Sequence, residues 1–189
     1  MPRSKEQFED MRERSKKLIM ETALTLFASR GFHATSISQI AKECGVATGL
    51  LYNYYDSKEH LLEAIIQSGL QEFAHTMHQR SMALTKENIA EGIRIMFSEV
   101  RENHTFWKLC FSLLMQPDLK GEGSSLFQEF FIHMDGLFTA YFRAQGNPEA
   151  NKLGNTVSAV IHGALLHFIL SQDEETLEAV QEAIIERFL

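Results

Sequence analysis

The chain has 189 residues, of which 44% are hydrophobic and 23% are charged, and its formal net charge at pH 7 is −7. This length suits one compact unit or two small ones with enough residues to bury a core. The 2 cysteines are too few for a disulfide framework, and the charged N-terminus lacks the apolar segment of a cleavable signal.

The charge is unevenly distributed along the chain. Residues 1–62 contain 9 Lys and Arg against 8 Asp and Glu, a net charge of +1, whereas residues 63–189 contain 9 against 17, a net charge of −8. An acidic chain would ordinarily argue against nucleic-acid binding. Because the acidic excess lies in the C-terminal part, the N-terminal part remains free to approach phosphates.

The first predicted element is a long helix. Apolar residues recur at helical spacing from Phe8 to Phe27, and Gly31 follows where a helix end favours a left-handed residue. Acidic residues alternate with the basic residues of its first half, which favours a solvated helix face over a DNA contact. These basic residues are Arg3, Lys5, Arg12, Arg14, Lys16 and Lys17.

A short second helix has recognisable signals at both ends. Ser36 and Gln39 have the spacing of an N-terminal capping box. Gly45 is expected to end the helix. Between them, one apolar face with helical period is formed by Ile37, Ile40, Ala41 and Cys44.

The third predicted helix covers about 48–54 and follows a glycine-containing turn. Two short helices joined in this way are typical of a helix-turn-helix unit, whose second helix enters the major groove of DNA. Leu51 and Tyr55 are expected to point inward. The polar and small residues of the same segment then face outward, namely Thr48, Gly49, Tyr52, Asn53 and Tyr54.

A fourth helix is expected to begin near Lys58, with Asp56–Ser57 as its cap and Glu59 completing a capping box to Asp56. The charge of Lys58 and the N-terminus of the helix both favour a phosphate at this point.

These residues follow the pattern GF-x-x-TS, then IA-x-x-x-GVA-x-GLLY-x-YY, then SKE-x-L, which resembles the DNA-binding head of the TetR family of transcriptional regulators. Tyr55 stands where that family usually has Phe. The resemblance implies phosphate contacts from Thr35, Tyr52 and Lys58, and base or phosphate contacts from the exposed helix. The candidate DNA-binding residues are Thr35, Ser36, Thr48, Gly49, Tyr52, Asn53, Tyr54 and Lys58. The alternative is a core helical hairpin that touches no DNA.

The rest of the chain is predicted to be helical, without a convincing strand alternation. The predicted fold is all-α, with a three-helix head over residues 1–60 and a larger ligand-binding and dimerisation body over 61–189. The predicted body helices cover approximately 58–83, 86–103, 105–116, 124–145, 149–171 and 174–188.

Aromatic residues are concentrated in the middle of the body, over residues 106–142. A cavity lined by such residues would suit a hydrophobic or aromatic small molecule, although a Phe-rich core has the same pattern. The candidate ligand-binding residues are Trp107, Phe111, Met115, Phe131, Met134, Phe138 and His162.

The last two predicted helices carry apolar stripes that suit a homodimer interface or, alternatively, the core of the chain itself. The stripe on the first is Leu153, Val157, Val160, Ile161, Ala164 and Phe168. The stripe on the second is Leu177, Val180, Ala183, Ile184 and Phe188. In the resembled family, two such helices from each chain form a four-helix interface.

Other classes of function have little support in the sequence. No Cys and His cluster has metal-ligand spacing, no cofactor is expected, and no motif of a hydrolase or phosphate-binding loop appears. The apolar stretch over 153–170 is interrupted by polar residues and reads as too short to span a membrane. Cys110 is expected to be a core residue rather than a redox sensor. A cytoplasmic location is expected.

The resemblance therefore implies a regulator that is not an enzyme. We expect a repressor that binds a palindromic double-stranded DNA operator as a homodimer and is released by a small hydrophobic or aromatic effector. Corepression, with the opposite sign, is equally allowed physically. Two alternatives are a helical ligand-binding protein with a silent head and an enzyme in a helical body. The sequence specifies neither the effector, the operator nor the regulated genes.

Overall fold

A computed structural model describes residues 5–78, 83–115 and 122–189. Within these ranges the chain forms nine α-helices and no β-strand, and this confirms the predicted all-α fold. The helices are α1 (Lys5–Arg30), α2 (Ile37–Cys44), α3 (Thr48–Tyr52), α4 (Lys58–His78), α5 (Lys86–Glu102), α6 (His104–Leu114), α7 (Glu122–Ala144), α8 (Ala150–Ser171) and α9 (Glu174–Phe188).

The predicted signals at the ends of the head helices are confirmed. Gly31 and Gly45 have φ angles of 87° and 68°, the left-handed conformation that glycine adopts without strain. The Ser36 hydroxyl accepts from the Gln39 backbone N–H, and the Gln39 side chain accepts from the Ser36 N–H at 2.7 Å. Both ends of α2 are therefore defined by its own local sequence.

The predicted capping box between Asp56 and Glu59 is wrong. The Ser57 hydroxyl accepts from the His60 backbone N–H at 3.0 Å, and the Asp56 N–H donates to His60 Nδ1 at 3.3 Å. The His60 side chain thus accepts the hydrogen bond from the Asp56 backbone that was expected of Glu59. The side-chain cap of α4 is Ser57, one residue further along the chain than predicted.

The other body helices agree with their predicted ranges to within about two residues at each end. Helix α4 is described as far as His78, and Ala83, where its predicted range ends, is not helical. Residues 79–82 and 116 of the predicted helices lie outside the described residues, as does Arg3.

The helices pack around one continuous hydrophobic core that extends from Ile19 in α1 to Ile184 in α9. The most extensive pairing is between α7 and α8, and α4 also packs against α7. In addition, α1 packs against α6, so the head contacts the body directly. The boundary predicted between residues 60 and 61 falls inside the first turn of α4 and stays a prediction.

Helix α8 has 22 residues, and an 18-residue window within it has a mean hydropathy of 1.5, so by length and composition alone it could span a membrane. The prediction that this stretch is too short to cross a bilayer is therefore wrong about its length. The same helix packs against α7 and α9 of its own chain, and Val157, Ile161 and Leu165 are buried there. A helix in the core of a bundle has a similar composition, and 39% of the apolar window is buried inside the chain, so packing accounts for part of its apolar character.

Gly154 marks a close approach between α7 and α8. A Cβ atom at this position would meet the Thr139 hydroxyl oxygen and would lie 2.8 Å from the Thr139 backbone N and Cα. We expect Gly154→Ala to lower the free energy of unfolding by about 1–3 kcal/mol, because the backbone of α7 must shift. Urea denaturation measures this change.

Gly136→Ala is the matched control, since a Cβ there would meet nothing within 4 Å. Alanine favours a helix over glycine by about 1 kcal/mol, so this control is expected to be neutral or stabilising. Equal stabilities of the two variants would contradict the close packing of α7 on α8.

Candidate nucleic-acid interface and interhelical cavity

The exposed residues of α3 and of the position that follows it are small or carry polar groups. Thr48, Gly49 and Asn53 are exposed, and 52% of Tyr52 is accessible to solvent. Leu51, by contrast, is fully buried beneath them. The short helix therefore projects hydroxyl and amide groups outward from a buried apolar base, as the sequence predicts.

The neighbouring tyrosines differ in exposure. Tyr55 is 5% exposed and packs in the core, as expected. Tyr54 is half-buried, and its ring centroid lies 5.9 Å from the guanidinium of Arg12 on α1. The first half of α1 therefore lies beside the segment that follows α3.

Thr35 and Ser36 precede α2 but differ in what they offer to a ligand. Thr35 is 2% exposed, and its hydroxyl donates to the Gly31 carbonyl at 2.9 Å. Ser36 is exposed and also caps α2. In this conformation the Thr35 hydroxyl supports the α1–α2 loop and does not face solvent, which disagrees with the expected phosphate contact.

Lys58 is also engaged by the protein itself. Its ammonium group donates to the carbonyl oxygens of Phe32 at 2.8 Å and Thr35 at 2.9 Å, and lies 4.3 Å from the centroid of the Phe32 ring. The first residue of α4 is thus attached to the α1–α2 loop by two charged hydrogen bonds and a cation–π contact. A phosphate would have to share this ammonium group with the two carbonyls.

A cavity of about 480 Å³ lies between α4, α5 and α7. Its volume is within the range of small-molecule sites. Its walls are largely apolar and include three methionines, which adapt to ligands of different shape. The described lining residues are Phe73, Ala74, Met77, Ala83, Leu84, Asn88, Ile89, Glu91, Gly92, Ile93, Ile95, Met96, Phe130, His133, Met134, Leu137 and Phe138.

Only two of the seven candidate ligand-binding residues, Met134 and Phe138, line this cavity. Trp107 is buried behind the wall, with its ring 5.7 Å from that of Phe73 and 6.0 Å from that of Phe130. The indole Nε1 of Trp107 is buried without a hydrogen-bond acceptor in the described part of the chain. Trp107 is thus a core residue that supports the wall.

The remaining candidates lie elsewhere. The Phe131 ring contacts those of Phe111 at 5.6 Å and His162 at 4.5 Å, on the side of α7 that faces α6 and α8. Met115 is 68% exposed at the end of α6. The sequence prediction missed that α4 and α5 line the cavity. The signal available in the sequence was two flexible methionines, Met77 and Met96, and a glycine without a side chain, Gly92, in the predicted helices.

The Asp135 carboxylate and the His162 imidazole lie together between α7 and α8, with Asp135 Oδ1 3.3 Å from His162 Nε2, and they form an ion pair only when the imidazole is protonated. Burial lowers the pKa of His162 below its usual value of 6.5, and the Asp135 carboxylate opposes this by favouring the charged imidazole. Burial also raises the pKa of the Cys110 thiol, so Cys110 is a poor nucleophile. No cluster of three metal-ligating side chains occurs among the described residues.

The predicted dimer stripes are used partly by the core of the chain. Val157, Ile161 and Phe168 of α8 are buried, as are Leu177 and Ile184 of α9. The outer face of α8 instead exposes residues that are small or apolar, namely Ala159, Gly163 and Leu170. Leu153, Val160 and Ala164 of the predicted stripe are only partly buried, so a partner chain could still meet part of that stripe, and the homodimer stays a prediction.

Comparison with known proteins identifies the N-terminal segment. A family model described as "Bacterial regulatory proteins, tetR family" matches residues 19–65. The chain is 27% identical over 125 residues to the "Fatty acid metabolism regulator protein" of Bacillus subtilis (strain 168), and this match covers 64% of each chain. It is 26% identical over 180 residues to the "Uncharacterized HTH-type transcriptional regulator YxaF" of the same strain, covering 90% of this chain and 93% of that protein.

Solved structures show the same fold. The structure of "a transcriptional regulator FadR from Bacillus subtilis in complex with stearoyl-CoA" superimposes with a TM-score of 0.69 at 22% identity, over 90% of this chain and 95% of that one. The named relatives are regulators rather than enzymes. The chain spans slightly less than two thirds of the fatty acid regulator, so similarity to its ligand site does not follow from that match.

The Asp135–His162 pair gives a pH-dependent prediction. Because the pKa of His162 is lower in the folded chain than in the unfolded one, protonation favours unfolding. The free energy of unfolding should therefore fall as the pH drops from about 6.5 through the folded pKa. We expect Asp135→Asn to lower the pKa of His162 further, as measured by NMR titration of the imidazole. An unchanged pKa would contradict the electrostatic coupling of the two side chains.

Proposed function

Because the chain belongs to the TetR family of bacterial transcriptional regulators, we propose that it is a repressor that binds a palindromic operator as a homodimer and leaves DNA when a small hydrophobic molecule occupies its body. The observation that supports this proposal most directly is the exposed polar surface of α3 on a buried apolar base. A solvated helix has no physical need for Thr48, Gly49, Tyr52 and Asn53 together on one surface, whereas a helix in the major groove does.

The proposal assigns direct DNA contacts to Ser36, Thr48, Gly49, Tyr52 and Asn53, which are exposed. Tyr54 adds its half-buried ring at the edge of this surface. Thr35 and Lys58 hold the α1–α2 loop against α4, and thereby place the helix-turn-helix unit. The head is assigned to residues 1–60 and the ligand-binding and dimerisation body to 61–189.

The effector site is assigned to the cavity between α4, α5 and α7. Its position supports a coupling between ligand and DNA, because α4 lines the cavity near its C-terminal end and its first residue, Lys58, is bonded to the α1–α2 loop of the head. An occupied cavity that displaces α4 would change the separation of the two heads of a dimer. Operator and effector would then weaken one another by the same factor.

The dimer is assigned to the outer faces of α8 and α9, and the protein to the cytoplasm, where the chromosome of a bacterium lies. A dimer serves this function because one small head makes few base contacts. Two heads related by a twofold axis read two half-sites about one helical turn apart, or a multiple of that distance.

The primary test is selection of bound duplexes from a random DNA pool by the full chain at near-physiological salt, where weak binding to the phosphate backbone is lost. We expect an inverted repeat to be enriched. An enriched sequence without a repeat would refute the dimeric operator. No enrichment, either alone or with ligands found by thermal shift, would refute operator binding.

Removal of exposed side chains from α3 should separate DNA binding from stability. We expect Tyr52→Ala and Asn53→Ala each to weaken binding to the selected operator by about tenfold or more, a cost of about 1–3 kcal/mol. The midpoint of thermal unfolding should change little, because both side chains are exposed. Fluorescence anisotropy and calorimetry measure the two quantities.

Gln71→Ala is the matched control, since Gln71 is exposed on α4 and lies roughly 20 Å along the helix from Lys58. If all three variants bind the operator equally well, α3 is not the recognition helix.

Gly92 provides a test of the cavity. A Cβ at this position would lie 3.4 Å from the Met77 methyl group, so a leucine side chain would project into the cavity. We expect Gly92→Leu to abolish release of DNA by an effector while operator affinity is retained. Gly136→Leu is the control, because that glycine has open space around it. Full induction of the Gly92→Leu variant would place the effector elsewhere.

A further inference from the structure

The α3 segment brings no positive charge of its own to a DNA backbone. Residues 45–57 contain neither lysine nor arginine, and Asp56 is their one residue that is charged at neutral pH. The neutralisation of phosphates by basic side chains supplies a large share of the affinity of a protein for duplex DNA. A cation at the α3 surface must therefore come from another part of the fold.

Lys58, the next positively charged residue in the sequence, is partly committed to the fold. Its ammonium group donates to the Phe32 and Thr35 carbonyl oxygens at 2.8 Å and 2.9 Å. These carbonyls compete with a phosphate for the N–H donors of the ammonium group, of which a lysine has three. A second cation beside α3 would act without this competition.

Helix α1 provides a cation next to the end of α3. The guanidinium of Arg12 lies 5.9 Å from the centroid of the Tyr54 ring, within the distance of about 6 Å at which cation–π contacts form. Burial raises the pKa of Tyr55, and the negative charge of Glu13 raises it further, so the residue after Arg12 also lies near this segment. Two consecutive residues of α1 thus lie beside the tyrosines at 54 and 55.

The aromatic ring distinguishes Arg12 from the basic residues that follow it on α1. Arg14, Lys16 and Lys17 each pair with a carboxylate of the same helix, at 2.8 Å, 2.8 Å and 3.8 Å. The carboxylate next in sequence to Arg12, that of Glu13, is the partner of Lys16. Arg12 is exposed, and its side chain extends toward the α3 segment.

We infer that Arg12 contacts a DNA phosphate and that Tyr54 positions its guanidinium at the edge of the α3 surface. The Tyr54 ring is half-buried and packs against the core, so it offers a fixed support. A guanidinium held over a ring keeps its N–H donors available at the ring edge, and its planar fork matches two oxygens of one phosphate. This inference rests on the DNA binding by α3 that is proposed above.

The DNA-binding surface of the head then extends from α3 onto α1. Arg12 lies outside residues 19–65, which match the family model. The solvated-face interpretation of the first half of α1 applies to its paired basic residues and not to Arg12.

Arg12→Gln and Arg14→Gln form a matched pair, since each removes one positive charge from an exposed residue of the same helix. We expect Arg12→Gln to weaken binding of the full chain to the selected operator several-fold and to reduce the slope of log K against log[salt] by about one. Arg14→Gln should change the slope much less, because Arg14 extends toward Asp10 on its own helix. Fluorescence anisotropy at several salt concentrations measures both quantities.

A double-mutant cycle tests whether Tyr54 positions Arg12. Tyr54→Phe retains the ring, so Arg12→Gln should cost as much affinity in this background as in the unmodified chain. Tyr54→Leu removes the ring, so Arg12→Gln should cost less there. Arg12→Lys should retain the salt slope but only part of the affinity, because an ammonium group lacks the planar fork.

A purely structural role of Arg12 gives a different result. In that case Arg12→Gln would lower the midpoint of thermal unfolding and leave the salt slope unchanged. We expect the midpoint to change little, because Arg12 is exposed. Calorimetry on the same variant measures it.

The possible outcomes separate this contact from the proposed function. Equal salt slopes of Arg12→Gln and Arg14→Gln would overturn the phosphate contact, and an equal cost of Arg12→Gln in all three backgrounds would overturn the positioning by Tyr54. Loss of operator binding in Tyr52→Ala, with Arg12→Gln unaffected, would overturn the inference and leave the proposed function in place. An unmodified chain that binds no duplex would overturn the proposed function itself and the inference with it.

Discussion

The attachment of Lys58 to the α1–α2 loop determines how the two ends of the molecule are related. Its two hydrogen bonds to Phe32 and Thr35 hold the first residue of α4 against the head. The same helix continues for 21 residues, about 30 Å, and lines the cavity at Phe73 and Met77. A single rigid element thus touches both candidate sites. A displacement of the cavity end of α4 that the helix transmits without bending would either move the head or break the contacts of Lys58.

The ends of the head helices were predictable because they depend on residues close together in the sequence. Left-handed glycines at 31 and 45 and the Ser36–Gln39 box act over a few residues, and each was confirmed. The error at the cap of α4 was a choice between adjacent residues that are both good caps. The sequence identifies the residue types of the helix-turn-helix motif. It does not show that the Thr35 hydroxyl and the Lys58 ammonium donate hydrogen bonds to backbone carbonyls of the same chain.

The cavity was not predictable to the same extent, because its empty volume is a property of tertiary packing. Apolar residues at helical spacing have the same pattern whether they face a neighbour or a void. Two faces of α7 have different surroundings. Met134 and Phe138 line the cavity, whereas Phe131 on the other face packs against His162. The aromatic-rich segment 106–142 includes α7, which lines one side of the cavity, whereas the opposite wall is supplied by α4 and α5, which are poor in aromatic residues.

Because α1 packs against α6, the head cannot be exchanged as an independent module. A head exchanged between two such regulators at residue 60 would bring α1 onto an α6 that it did not evolve with. Its apolar face would then be mismatched even though every candidate DNA-binding residue is present. Chimeric sensors built from this chain should therefore transfer the α6 face together with the head, since recombination at the apparent domain boundary cuts through a shared core.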